Sequence, residues 1–261
     1  MLKDLEEKLQ AHILLIYNNP EEDDSIIDYY ILKPLYEQLK ELNKYNKLII
    51  LIETKGGNLA VGRKILEIIK EKFKIIEGIV LGRCSSTGTF ILLGTDKIYV
   101  GPYSMITPSE PQITIDNKSY SISVIRNYLK ENNSLDPIIY GNYLSIQNYY
   151  KKLCKESYKD SEKIINYMLK EVNSHQYPLN KKDFKKMNIE VDRLDEGIEK
   201  LLLQRHNKIL NYLKDKTHLE NRFTLIETSN KILVRKKIYD KNKSLINFDY
   251  NIIEESEYEK Y

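Results

Sequence analysis

The chain has no tryptophan, and cysteine (two), histidine (four) and glycine (ten) are scarce among its 261 residues. Cys84 and Cys154 have no metal-ligand spacing, which argues against a disulfide framework or a thiolate zinc site. MLKDLEEKLQ is charged from its third residue and does not read as a secretory leader, so a reduced, cytoplasmic protein is expected. Long apolar runs are also missing. Runs such as FILLG from Phe90 fall far short of the ~20 residues a membrane helix needs, so a transmembrane segment is not expected. Nor does charge of one sign dominate: 41 basic residues face 38 acidic ones, for a net +3. That balance gives no electrostatic case for nucleic acid or an anionic membrane as a partner. The length suffices for one sizeable core, or for a main domain with a smaller appendage.

What is present is an alternation of element types. Asp4 to Gln10 reads as a short helix, HILLIY from His12 as a buried strand, and NNPEEDDS as a loop. Ile27 to Leu42 has apolar residues at helical spacing, and KLIILIET from Lys47 is a nearly continuous apolar strand. A helix capped by Asn58 follows to about Phe73, then strand IIEGIVLG from Ile75, an apolar helix after Ser86, and strand KIYVGP from Lys97. Strand-helix alternation with fully apolar strands predicts an α/β fold with a parallel sheet covered on both faces. After Pro111, ITIDNKSYSI reads as a loop or hairpin, Val124 to Lys130 as a short helix, and Asn142 to Val172 as one long or two broken helices. SHQYPLNKKDFKKMNIEV from Ser174 reads as loop, helix and strand. Leu194 to Lys214 is a further helix, FTLIET and KILVRKK suggest a small hairpin, and Asn247 to Tyr261 is expected to fray. The expected division is a catalytic-type domain over 1–192 and a C-terminal helical and hairpin extension over 193–261.

Two turns invite chemistry. In LIETKGGNLAVG, Gly56 and Gly57 join an apolar strand to a helix. The stretch matches neither a P-loop nor a dinucleotide fingerprint. The glycines therefore serve a tight turn, or present a bare backbone N–H to an oxyanion. In the next crossover, GIVLGRCSSTGTFILLG, the small residues Cys84 to Thr89 sit where a nucleophile on a sharp turn would stand. Ser85 and Ser86 are the candidates, against the plainer reading that they cap a helix. Two adjacent crossovers, one offering bare backbone and the other a hydroxyl, favour the catalytic reading.

With these residues in place, the order strand, Thr-x-Gly-Gly, helix, strand, small-Ser-x-Gly, apolar helix, then DKIYVGP, resembles the Clp/crotonase superfold and its serine peptidases. More narrowly it resembles the serine dehydrogenase proteinase family, relatives of the signal peptide peptidase A group. LEEKLQAHILLIYNN, SSTGTFILLGTDKIYVGPYSMITPSEPQI and HQYPLNKKDFKKMNIEV carry the resemblance, over roughly the first three quarters of the chain. The resemblance implies a parallel-sheet core with flanking helices and a serine two residues before a glycine. Ser86-Thr87-Gly88 fits that register and Ser85 does not. It also implies an oxyanion hole from the Gly57 and Thr87 amides, with Gly56 and Gly88 lining it.

The base is open. The Clp-type histidine position falls on Thr107. The signal peptide peptidase relatives use a lysine, for which Lys118 is nearest in position and Lys155 and Lys159 are rivals. His175 matches a family histidine that either acts or orders a loop, and Glu110 sits where the family has an acid, more readily read as holding a loop. Cys84 reads as a buried thiol, and His12, His206 and His218 as ordinary residues. The chain departs from the family in Lys55, where a proline is usual, in Thr87, where a glycine is usual, and beyond Leu194. The expectation is a serine peptidase of the Ser-Lys dyad type, without metal or organic cofactor, acting on a peptide or protein. It would be homo-oligomeric, with contact through the Leu194–Lys214 helix, and any activator or delivery partner is left open. The alternatives are an inactive oligomeric peptide-binding scaffold of the same fold, and acyl-CoA chemistry that has no use for Ser86.

Overall fold

Every residue of the strand HILLIYN (β1, His12–Asn18) is buried, which requires cover on both faces of the sheet. The computed structural model describes residues 2–19, 25–131, 136–215, 222–239 and 245–253. Helix α1 (Leu2–Leu9) precedes β1, and a 3₁₀ turn (Tyr29–Ile31) runs into α2 (Leu32–Lys40). Next come β2 (Lys47–Glu53), α3 (Leu59–Lys72), β3 (Ile75–Val80), the short β4 (Arg83–Cys84), α4 (Thr87–Leu93) and β5 (Lys97–Val100). The short β6 (Met105–Ile106), the hairpin of β7 (Gln112–Ile115) and β8 (Lys118–Ser121), α5 (Ile122–Glu131) and α6 (Pro137–Ser157) follow. After α7 (Ser161–Asn166) and its π-helical continuation (Tyr167–Glu171) come α8 (Lys181–Lys186), β9 (Val191–Arg193) and α9 (Glu196–Asp215). The strands β10 (Arg222–Glu227), β11 (Ile232–Tyr239) and β12 (Leu245–Ile253) complete the described elements.

Eight strands form one sheet in the order β12-β11-β10-β1-β2-β3-β5-β9. From β1 to β9 all neighbours are parallel, and β10, β11 and β12 add antiparallel on the β1 edge. The period-2 alternation of strands sorts the core into two. Leu14, Ile16, Ile50, Ile52 and Val80 face Leu35, Ile65, Phe90 and Tyr150. Ile13, Leu15, Leu51 and Ile79 face Leu2 and Leu5 of α1 and Leu202 of α9. The molecule is an α/β protein with a parallel-dominated sheet and flanking helices, as the alternation of elements predicts.

Three local expectations change. Ile27 and Asp28 are not helical: Ile27 forms a parallel bridge with Gly57. Asp28 has extended backbone, and its carboxylate accepts from Tyr30 N at 3.1 Å, capping the 3₁₀ turn that delays the helix to Leu32. Helix α6 starts at Pro137, earlier than its apolar spacing shows, because Asp136 Oδ1 accepts from Ile138 N at 2.8 Å and proline suits the first helical position. The part of the tail from Asn247 to Ile253 is not frayed but lies in β12, in register with β11, with Ile253 buried. Residues 254–261 of that expected tail, His218, and residues 20–24 of the polar loop lie outside the described residues. The expected hairpin of β10 and β11 is present, joined to β1 in the main sheet.

Gly88 shows how tightly α4 sits on β2. A Cβ there would stand 2.3 Å from Thr54 Cγ2 and 3.1 Å from Cys84 Sγ. Alanine gains about 1 kcal/mol over glycine in a helix, but overpacking of this kind costs about 1–3 kcal/mol, so Gly88→Ala should be destabilising. Urea titration should show a lower midpoint at unchanged slope. Adding Thr54→Ser, which removes the clashing methyl and keeps the hydroxyl, should recover most of the loss.

Candidate active site

In a parallel sheet the C-terminal strand ends share one edge, where crossover turns converge and ligands bind. Here the turn after β2 (Thr54 to Asn58) and the turn after β4 (Ser85 and Ser86) are stitched side by side. Thr54 N donates to Arg83 O at 2.8 Å, and Ser85 N donates to Thr54 O at 3.0 Å. Thr87 Oγ1 donates to Gly57 O at 2.6 Å, tying the first residue of α4 to the glycine turn. Thr89 Oγ1 reaches Thr107 O at 2.7 Å, and Thr107 N donates to Cys84 O at 3.0 Å.

Ser86 stands on this elbow with φ 51° and ψ −114°, a sparsely populated conformation that costs a non-glycine residue about 1–3 kcal/mol. It occupies the N-cap position of α4, yet its hydroxyl makes no capping bond. The capping reading therefore fails for Ser86. Ser85 is buried, and its hydroxyl accepts from Arg83 Nε at 3.0 Å. Cys84 is fully buried, and burial pushes its thiol up to about 12. It is therefore protonated at neutral pH and a poor nucleophile.

The glycine turn leaves no space for side chains. At Gly56 (φ +115°) a Cβ would lie 2.6 Å from Ser86 Cβ and 3.2 Å from Ser86 Oγ. At Gly57 (φ +151°) it would lie 2.1 Å from Ile27 O. The Ile27 backbone brackets that residue: Ile27 N donates to Gly56 O and Asn58 N donates to Ile27 O, both at 2.8 Å. Asn58 Oδ1 then caps α3 through Ala60 N and Val61 N. Among the described residues, neither the Gly57 nor the Thr87 backbone N–H has a hydrogen-bond acceptor.

His175 lies on the loop before α8, which is pinned to β6 by Leu179 N donating to Ile106 O at 2.8 Å. Its Nδ1 stands 3.8 Å from Glu110 Oε1, an approach rather than a hydrogen bond. The Glu110 side chain is fully buried and is oriented by the start of α5, where Ser123 N and Ser123 Oγ each donate to it at 3.2 Å. Burial raises the Glu110 pKa. Burial, and secondarily the Arg83 guanidinium, lowers that of His175 and favours its neutral form.

The lysine candidates lie in different surroundings. Lys118 is exposed on β8. Lys155, at the end of α6, is 60 % exposed and paired with Glu162 at 3.1 Å. Lys159 is 91 % exposed and paired with Asp96, which precedes β5 and so marks the opposite sheet edge. None is held in the desolvated setting that would make a lysine a neutral base. His12 Nε2 accepts from Lys44 N and Tyr45 N at 3.1 Å, and His206 Nε2 stands 3.4 Å from Glu53 Oε2 under α9. Among the described residues no group of His, Cys, Asp or Glu could hold a metal ion, and no helix is long and apolar enough to cross a membrane. Arg83, which helps organise the elbow, carries no motif; Thr54 belongs to the Thr-x-Gly-Gly stretch, but its bonds to Arg83 O and Ser85 N across the two turns are not visible in the sequence. The closeness of Glu110 to His175 is a long-range contact that no local pattern shows.

No protein-family model matches the chain, and no curated protein matches it. Among solved structures it is similar to ClpP1 from Listeria monocytogenes, at 16 % identity over 76 % of this chain and 99 % of that one, with a TM-score of 0.46. A mutant of the same ClpP1 is similar at 20 % identity over 74 % and 99 %, with a TM-score of 0.44. A mutant of the 1510-N membrane-bound stomatin-specific protease is similar at 18 % identity over 66 % of this chain and 77 % of that one, also with a TM-score of 0.44. Likeness at this level assigns no activity, and the chemistry of the site is read from the geometry of this chain.

The electrostatics of the site can be measured directly. Because burial and Arg83 both disfavour the imidazolium, the His175 midpoint in an NMR pH titration should lie below the ordinary 6.5. Arg83→Ala removes one of the two causes and should move the midpoint upward.

Proposed function

We propose that the chain is a serine hydrolase, most specifically a peptidase, with Ser86 as nucleophile. The observation that carries this reading is the backbone of Ser86: a strained serine whose hydroxyl caps nothing, set against a glycine that tolerates no side chain. Strain of this kind persists only where the surroundings enforce it, and it clusters at active sites. Ser86 Oγ attacks the substrate carbonyl carbon. The carbonyl oxygen becomes an oxyanion held by the Gly57 and Thr87 amides, each such donor contributing about 3 kcal/mol to the transition state. The tetrahedral intermediate collapses to an acyl-enzyme and releases the amine, and water then hydrolyses the ester by the reverse proton movements.

Of the candidate bases, His175 fits best. It is buried enough to be neutral and stands beside a carboxylate, whereas Lys118 and Lys155 are exposed. His175 takes the Ser86 proton and returns it to the leaving amine. Glu110 orients the ring, closing the 3.8 Å gap when substrate binds, since catalytic hydrogen bonds are often long before the complex forms. The peptide bond as substrate follows from the resemblance of the sequence, as does a homo-oligomer. Tyr140 and Leu144, exposed one turn apart on α6, offer that contact, because α9 already buries Leu202 against the sheet. Two buried, unpaired cysteines suit a reducing compartment such as the cytoplasm.

The first test is labelling with a fluorophosphonate followed by mapping of the modified residue. The label should sit on Ser86 and vanish in Ser86→Ala. A folded chain that takes no label between neutral and alkaline pH would refute the hydrolase and leave a peptide-binding scaffold. In the active enzyme His175→Ala should cost about 10²–10⁴ in kcat, while Lys118→Ala and Lys155→Ala should leave it unchanged. The neutral imidazole is the working form, so kcat/KM should fall as pH drops through the His175 pKa. Since that pKa is lowered, the acid limb should have its midpoint below 6.5.

A further inference from the structure

The Gly57 amide is placed by Ile27, and Ile27 is followed by Asp28, whose partner comes from the far end of the sequence. Arg235, on β11, is completely buried and donates from Nη1 to Asp28 Oδ1 at 2.5 Å. The same carboxylate oxygen accepts from Tyr30 N. Arg235 belongs to a row that crosses the antiparallel part of the sheet, Asn18 opposite Thr224, Thr224 opposite Arg235, and Arg235 opposite Tyr250. The row is polar on its buried side: Asn18 Nδ2 donates to Thr224 Oγ1 at 2.9 Å. An arginine buried here is costly unless its charge is met, and the charge that meets it lies next to the residue clasping the oxyanion turn.

We propose that Arg235 is a positioning residue for the reaction. Through Asp28 it fixes the backbone of Ile27, and through Ile27 the direction of the Gly57 N–H, so the antiparallel strands β10 to β12 set the geometry of the oxyanion hole. This rests on the reading of Gly57 as an oxyanion donor. A donor displaced by a fraction of an ångström weakens transition-state binding more than substrate binding, so the effect falls on kcat rather than KM.

The test uses the full chain and para-nitrophenyl butyrate, with kcat referred to the amount of Ser86 titrated by a fluorophosphonate, so that unfolded protein does not count. Asp28→Asn keeps the shape and the acceptor for Tyr30 N but removes the charge. It should lower kcat per titrated site about ten- to a hundredfold, with KM within about twofold. Arg235→Lys keeps the charge and should lose less. Lys231→Ala, which removes the exposed pair of Lys231 with Glu41 ahead of the same strand, should change neither constant. If Asp28→Asn does not fold, Arg235→Lys decides by the same criterion. A lower titre with kcat per site unchanged would make the pair merely structural and overturn the proposal. A wild type that neither labels nor hydrolyses the ester would overturn the hydrolase reading itself, and this inference with it.

Discussion

Two close approaches of bare glycine backbone hold the elbow in place, Gly56 against the Ser86 side chain and Gly57 against the Ile27 backbone. Neither survives the addition of one carbon, since a Cβ at these positions would fall 2.6 Å from Ser86 Cβ and 2.1 Å from Ile27 O. The strain at Ser86, about 1–3 kcal/mol, is outweighed locally. Backbone bonds at Ile27 N, Asn58 N, Thr54 N, Ser85 N, Gly88 N and Phe90 N converge on the two turns, all between 2.8 and 3.0 Å. At about 1 kcal/mol net each, they exceed the strain about twofold or more. The Thr87 hydroxyl adds a lock that a glycine at that position could not supply.

Electrostatics alone would not single out this site. Burial lowers the pKa of His206 and raises that of Glu53, in the same sense as for His175 and Glu110. Yet the His206 ring and the Glu227 carboxylate line a small cleft with Leu15, Leu51 and Leu202 on the α9 face of the sheet. There a histidine and a carboxylate dock a helix. What distinguishes His175 is its setting: its loop is bonded to β6, β6 pairs with β4, and β4 delivers the strained serine. Perturbed titration marks a candidate, and the backbone decides between candidates.

The strand-helix order, the Asn58 cap and the glycine turn were legible because each is written in neighbouring residues: period-2 and period-3.6 patterns, a side chain that accepts from the next turn, a pair of glycines between them. The sharp turn at Ser86 was legible as a cluster of small residues between an apolar strand and an apolar helix. Ile27 was hidden because its apolar character continues the helical spacing of the residues after it, and only the Asp28 cap reveals the break. The approach of His175 to Glu110 was hidden for a different reason. Glu110 and His175 are far apart in the chain, and lysine is too common to be informative one residue at a time. The pairing of β10 with β1, residues Thr224 to Glu227 against Leu15 to Asn18, has the same character.

Sheet order gives that long-range pairing its consequence. Because β1, β2 and β3 are parallel, Asn18, Glu53 and Val80 all end on one edge, where the elbow and the glycine turn lie. An antiparallel neighbour of β1 must run away from that edge, so the pairing of β10 with β1 begins there with Thr224 and β11 returns to it with Arg235. The same topology that lets the last strands extend the sheet also brings a buried cation to the margin of the site. A hairpin attached at the other edge, beside β9, would have lengthened the sheet equally well but would have left Asp28 without that charge. The strand order thus makes the C-terminal strands part of the framework of the site.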